Sequence, residues 1–224
     1  MKVAFIGYGS MARALAKRWA PAHEVFIGGR RPERAGALAD DIRAAGSGTT
    51  AEAAQFGDII VLATPAGAVG EAIEDGGGAG AFAGKVVIDI NNPVSVPAGP
   101  HDSGGDHYLP RHFDEGSLAQ HIAALVPDAH VVKAFNMCQA SVWEMDPPEF
   151  DGRRLTALYC GDDDDAKAKV AELIEALGCE PVDAGELKYA RLLEACASLV
   201  IKFLFSGRDL KTVLNLIQPE VKPI

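Results

Sequence analysis

The stretch Lys2-Val3-Ala4-Phe5-Ile6 runs without a break into Gly7-Tyr8-Gly9-Ser10-Met11-Ala12. The first five residues predict a short buried strand, and a helical pattern opens at Ser10. Between them stands a G-x-G-x-x-A loop, and each of its small residues has a physical reason. Gly7 permits a tight turn, Gly9 lets backbone approach a pyrophosphate, and Ala12 lets helix and strand pack closely. The free N–H groups at the helix start favour an anion. Strand, loop and helix in this order, with Tyr8, Ser10 and Met11 completing the loop, imply a dinucleotide-binding fold of the Rossmann type.

The rest of the chain has the alternation of such a fold. Strands are predicted at Lys2–Ile6, His23–Ile27, near Gly48–Thr50, at Asp58–Leu62, Lys85–Ile90, His130–Phe135 and Leu155–Tyr159, with a short one at Pro181–Val182. Helices are predicted at Ser10–Trp19, Pro32–Ala44, near Ala51–Gln55, at Ser117–Leu125, Asp164–Leu177 and Glu186–Phe205. Apolar runs alternating with helical patterns predict an α/β fold with a doubly wound parallel sheet. The glycine-rich stretch Asp75–Gly84 reads as a mobile loop, and residues 91 to 116 as an ordered loop or lid. Pro147 and Pro148 mark a change of composition. The expected division is therefore a dinucleotide-binding domain over residues 1–140 and a smaller C-terminal α/β region over 141–224, ending in a long helix.

The exit of the second strand separates two related cofactors. An NAD site places an acid there to accept hydrogen bonds from the ribose. This strand ends Phe26-Ile27-Gly28-Gly29, and Arg30-Arg31 follow; Glu24 comes too early and Glu33 too late. Guanidinium groups suit a 2′-phosphate, so Arg30 and Arg31, beside Gly29 and with help from Arg34, point to NADP. Plain solvated charge is the alternative. Thr64-Pro65 and Asn91-Asn92-Pro93 follow the next two long strands, where an open parallel sheet binds the rest of its ligand. Asn136, after Ala134 and Phe135, is the expected nicotinamide-side residue, with Ala134 and Phe135 offering backbone contacts.

Composition bounds the partners. The 224 residues carry a net charge of −10, which excludes a nucleic-acid partner for want of a basic tract. Cys138, Cys160, Cys179 and Cys196 show no metal or redox spacing and suggest a reducing compartment. The N-terminal apolar run is too short for a signal peptide. The last helix is interrupted by Lys188, Arg191, Glu194 and Lys202, so it reads as a buried or interface helix and not as a membrane span. A cytoplasmic location is expected. Its apolar positions, Leu192, Leu199 and Phe203, are expected in the core or in a homodimer contact. His101, His107 and His112 lie near Asp102, Asp106 and Asp114 but match no metal pattern, so no metal is expected. The acidic run Asp162–Asp165 is expected to cap a helix.

Taken in order, these segments resemble the coenzyme F420-dependent NADP oxidoreductases. The resemblance rests on Gly7–Ala12, Gly29-Arg30-Arg31, Asp89–Pro93 and Val131-Val132-Lys133-Ala134-Phe135-Asn136. It continues in Gly161-Asp162-Asp163 with Ala166-Lys167, Leu177-Gly178, Val182-Asp183-Ala184-Gly185 and Ala190-Arg191-Leu192-Leu193-Glu194. It implies hydride exchange between NADPH and a deazaflavin or flavin-like acceptor such as coenzyme F420. Membrane ferric reductases carry a similar domain, so the second redox partner varies among relatives. An anionic F420 tail would need local cations, for which Arg111, Lys133, Arg191, Lys202 and Arg208 are the candidates. Arg191 and Lys202 are spaced to share a helix face. Two departures keep other readings open. The Gly9-Ser10-Met11-Ala12 loop is closer to that of pyrroline-carboxylate reductases, and the Val94–Gly116 stretch is longer and richer in Pro and His. One rival is reduction of a small imine or carbonyl, with His107, Tyr108 or His112 as proton donor. The other is an NADP-binding redox sensor without catalysis.

Overall fold

The computed structural model describes residues 1–94, 116–150 and 152–205. Six parallel strands come first: β1 (Lys2–Ile6), β2 (Glu24–Gly28), β3 (Gly46–Gly48), β4 (Ile59–Leu62), β5 (Val86–Asp89) and β6 (His130–Ala134). They are followed by β7 (Glu149–Phe150) and β8 (Arg153–Arg154), an isolated antiparallel pair, and by β9 (Thr156–Gly161) and β10 (Glu180–Asp183). Among the described residues the main sheet has eight strands, in the order β10-β9-β6-β5-β4-β1-β2-β3. The half from β3 to β6 is the doubly wound order in which the chain reverses direction across the sheet between β1 and β4. β9 runs antiparallel to β6, and β10 is parallel to β9. The fold is thus a Rossmann-type α/β sheet, and the C-terminal residues extend that same sheet.

The helices are α1 (Ser10–Trp19), α2 (Pro32–Ile42), α3 (Thr50–Phe56), α4 (Val69–Asp75), α5 (Leu118–Leu125), α6 (Ala140–Trp143), α7 (Asp164–Ala176) and α8 (Ala190–Phe205). β4 and β5 are buried at every position, as expected of central parallel strands covered on both faces. Along β1 the side chains alternate between two cores. Val3 and Phe5 join Leu15, Trp19, Leu38 and Leu173 on one face, whereas Ala4 and Ile6 join Ile73, Phe82, Ile122 and Leu193 on the other. Trp19 Nε1 donates to the Leu173 carbonyl at 3.0 Å, which fastens α7 to α1.

Several expectations needed adjustment. The short strand near Gly48–Thr50 lies earlier, at Gly46–Gly48, because Thr49 is taken as an N-cap. It forms a reciprocal capping box with Glu52, and this fixes the start of α3 at Thr50. The stretch Asp75–Gly84 is not a free loop. It contains a 3₁₀ turn at Ala79–Phe82 whose Phe82 is fully buried, and Gly84 N donates to the Asp128 carbonyl at 2.8 Å. The last helix is preceded by a 3₁₀ turn at Leu187–Tyr189. Leu192 and Leu199 do not enter the core: they are 51% and 45% exposed, and Leu204 and Phe205 are similarly open. The inward face of α8 is instead made by Leu193, Glu194, Ala197 and Ser198. Asp163 does cap α7, accepting from Ala166 N at 2.8 Å.

Candidate functional site: a groove across the carboxyl ends of the strands

Gly7 adopts φ +125° and its N–H donates to the Gly28 carbonyl at 2.8 Å. A Cβ there would strike the carbonyl of Ala63, so the turn demands glycine. At Gly9 a Cβ would meet nothing within 4 Å, because that side of the residue opens on a groove. Gly9 is the N-cap of α1 but supplies no side-chain cap, and no acid stands in the first turn. The N–H groups at the start of this helix therefore face outward without a carboxylate of their own. Ala12 is fully buried beneath them.

Two clefts meet at this helix terminus. The first, of about 360 Å³, is lined by Gly7, Tyr8, Gly9, Gly29, Arg30 and Arg34, together with Thr50, Thr64, Pro65, Ala68 and Glu71. The second, of about 350 Å³, is lined by Gly9, Ser10, Met11, Thr64, Pro65, Asn91, Asn92, Phe135, Asn136 and Cys138. Gly9, Ala63, Thr64 and Pro65 belong to both, so the two form one groove crossing the switch point of the sheet. Most of the residues singled out from the sequence line it. Arg31 does not; it is the exposed N-cap of α2, and the two guanidinium groups at the cleft are those of Arg30 and Arg34. Pro93 and Ala134 are buried and do not line the groove. The histidines and Tyr108 of the long loop, with Arg111 and Arg208, lie outside the described residues. Among the described residues no cluster of His, Cys, Asp or Glu is arranged to hold a metal.

Sequence reasoning missed Glu71. It comes from α4, 41 residues beyond Arg30, and its Oε2 accepts from Arg30 Nη1 at 3.0 Å. No local pattern connects the two positions; only the fold, which sets both on the same cleft, does.

The far half of the groove is held by polar contacts. Asn136 Nδ2 donates to Asn92 Oδ1 at 3.0 Å, and Asn92 Nδ2 donates back to the Asn136 carbonyl at 2.8 Å. Asn91 Nδ2 donates to the Leu62 carbonyl and to Asp89 Oδ1, each at 3.0 Å. Phe135, just before Asn136, takes a left-handed φ of 60°. Its ring is wedged between Trp19 and Trp143, with centroids 5.5 and 5.6 Å away, and this aromatic packing holds the unusual backbone. Two buried oxygens, Thr64 Oγ1 and Asn136 Oδ1, have no hydrogen-bond partner among the described residues. Buried polar atoms of this kind are normally satisfied, and both residues line the groove. Cys138 also lines it, and burial pushes its thiol up to about 11, so it is neutral at physiological pH.

Beneath this half lies a buried charge cluster. Lys133 Nζ is 2.8 Å from Asp89 Oδ2 and 2.9 Å from Glu194 Oε1, and it also donates to the Asn91 carbonyl. The Lys133 and Asp89 side chains are completely buried, and that of Glu194 nearly so. Glu194 also accepts from Leu118 N at 3.0 Å and Ala119 N at 3.3 Å, in the first turn of α5. Lys133 was expected among the surface cations available to an acceptor tail. Its burial corrects that: it is an internal tie between β5, β6 and α8, whereas Arg191 and Lys202 are exposed.

Residues 2–93 match the family described as NADP oxidoreductase, coenzyme F420-dependent. The family resemblance read from the sequence is thereby upheld over those residues. A crystal structure from Arthrobacter sp. FB24, described as an F420-dependent NADP reductase, superposes with a TM-score of 0.77 at 28% identity, covering 93% of this chain and 96% of that one. The rat (Rattus norvegicus) metalloreductase STEAP3 is 32% identical over 195 residues, which is 87% of this chain and 36% of the relative. Human metalloreductase STEAP2 is 30% identical over 111 residues, 50% of this chain and 19% of the relative. The chain thus spans well under half the length of these two metalloreductases. An imine reductase from Aspergillus terreus shares the fold, with a TM-score of 0.62 at 18% identity, covering 92% of this chain and 63% of that one. All of these proteins are described as reductases or oxidoreductases. Among the described residues no helix is long and apolar enough to cross a membrane.

Proposed function

We propose that this chain is an NADP(H)-dependent oxidoreductase that exchanges hydride between the cofactor and a deazaflavin or flavin-like acceptor such as coenzyme F420. One observation carries the reading: the groove has two arginines at one end, a bare helix terminus beside Thr64 where its two clefts meet, and at the other end the buried Asn136 Oδ1, which has no hydrogen-bond partner among the described residues. That sequence of groups suits a 2′-phosphate, a pyrophosphate and a carboxamide N–H in turn. Bound there, NADP(H) would supply the hydride chemistry. The work of the protein is to bind and orient: Arg30 and Arg34 hold the phosphate end, and the Asn92–Asn136 pair with Thr64 fixes the ring end.

The described residues lining the ring end suit binding and alignment of a ring. Their one titratable side chain is Cys138, whose thiol burial keeps protonated. Hydride transfer to a flavin-like ring needs alignment and exclusion of water more than a general acid. The family description naming coenzyme F420 supports the acceptor class. The test is steady-state oxidation of NADPH in the presence of coenzyme F420, FMN or pyrroline-5-carboxylate. Turnover with one of the first two is expected. Turnover confined to pyrroline-5-carboxylate would replace the reading with imine reduction, and tight NADPH binding without any turnover would replace it with a sensor.

A further inference from the structure

The exit of β2 lacks the acid that an NAD site would carry, yet the cleft does not lack one. Glu71 reaches it from α4 and pairs with Arg30 at 3.0 Å. Both side chains are more than half exposed, at 60% and 63%, so the pair is solvent-screened and easily broken. Arg34 lines the same cleft. We propose that Glu71 is a specificity-determining residue that lowers the preference of this groove for the 2′-phosphorylated dinucleotide, by competing for Arg30. The proposal rests on the reading of the groove as an NADP(H) site.

The chemistry acts in one sense on both ligands. A carboxylate repels a 2′-phosphate and occupies the guanidinium that the phosphate needs. The same carboxylate can accept a hydrogen bond from a 2′-hydroxyl, as the acid of an NAD site does. Glu71 therefore weakens NADPH binding and supports NADH binding. Removing its charge frees Arg30 and favours NADPH on both counts. The effect belongs to the ribose end, so a ligand without the nicotinamide half reports it equally well.

The experiment is calorimetric titration of the wild-type chain and of Glu71→Gln with NADPH, NADH, 2′,5′-ADP and 5′-AMP, at low salt and at about 0.5 M salt. Glutamine keeps the length and helix propensity of the side chain, and Glu71→Ala provides a second variant without the charge. At low salt the ratio of NADH to NADPH dissociation constants should rise at least about threefold in both variants, and the ratio of 5′-AMP to 2′,5′-ADP with it. The gain should shrink at high salt. Ratios that stay unchanged or fall overturn the role of Glu71 while leaving the NADP(H) site standing. Failure of the wild-type chain to bind NADPH or 2′,5′-ADP removes the site itself, and the proposal with it.

Discussion

At the scale of single residues, Arg30 holds the most informative position. It lines the cleft, follows the Gly28-Gly29 exit of β2, and is paired with the solvent-exposed Glu71. Arg30→Glu should weaken NADPH binding by about ten- to a hundredfold, the loss expected for hydrogen bonds to a charged group, while changing NADH binding far less. Fluorescence titration of the two reduced cofactors measures both; equal losses would show that Arg30 does not touch the phosphate. Local residues made this position legible, since an absent acid and a present guanidinium sit side by side in the sequence. Glu71 was not legible, because only the fold brings it from α4 to the cleft that Arg30 lines. The same distinction explains Arg31. Adjacent arginines look equivalent in a string of letters, but a helix N-cap takes one of them away from the cleft.

At the scale of elements, the buried cluster of Lys133, Asp89 and Glu194 joins α8 to the site. Lys133 and Asp89 come from neighbouring strands, and Glu194 brings α8 and the first turn of α5 to the same point. Removing Lys133 would leave the Asp89 and Glu194 carboxylates buried without a countercharge, so Lys133→Ala should destabilise the fold by about 3–5 kcal/mol. Denaturant unfolding of the wild type and the variant checks this. A loss below about 1 kcal/mol would mean that the cluster relaxes or admits water. The strands and long helices were readable from periodicity, and the Lys-Ala-Phe-Asn and Ala-Arg-Leu-Leu-Glu segments stood out in the sequence. Their partnership did not. A lysine on a strand and a glutamate on a late helix look like surface charges until the fold sets the Lys133 ammonium between Asp89 and Glu194. The apolar positions of α8 divide: Leu193 faces inward beside the buried Glu194, whereas Leu192 and Leu199 are exposed, which excludes the core for them but not a homodimer contact.

At the scale of the whole molecule, stability is bounded on both sides of neutrality. Burial and the nearby N-terminal ammonium lower the pKa of His23 below 6.5, outweighing the opposing effect of Glu172. The native state therefore resists its protonation, and stability falls as pH drops below 6.5. Burial raises Cys138 from 9.0 to about 11 and Cys160 from 9.0 to about 12. The native state resists their ionisation, so stability also falls as pH rises above 9. Urea midpoints should form a plateau between these limits and decline outside it. A midpoint at about pH 10.5 that matched the neutral value would contradict the burial of the two thiols. The strand order was the most legible large feature, since alternating apolar runs and one glycine loop predict a doubly wound sheet. The antiparallel entry of β9 was not, because nothing local in Thr156–Gly161 states which way a strand will run beside β6.

The open terminus of α1 has a consequence for evolution and for engineering. α7 opens on Asp163, Asp164 and Asp165, so its N–H groups are answered by its own carboxylates. α1 opens on Gly9, with free space beside it and no acid in its first turn. An aspartate at Gly9 would have room to fold back onto those N–H groups and cap the helix, with a gain of a few tenths of a kcal/mol. It would also put a carboxylate where the proposed dinucleotide would place its pyrophosphate. Selection for robustness and selection for ligand affinity thus pull this one position in opposite directions, and a thermostabilised variant that acquired an acid there would be a better-capped protein with a blocked groove.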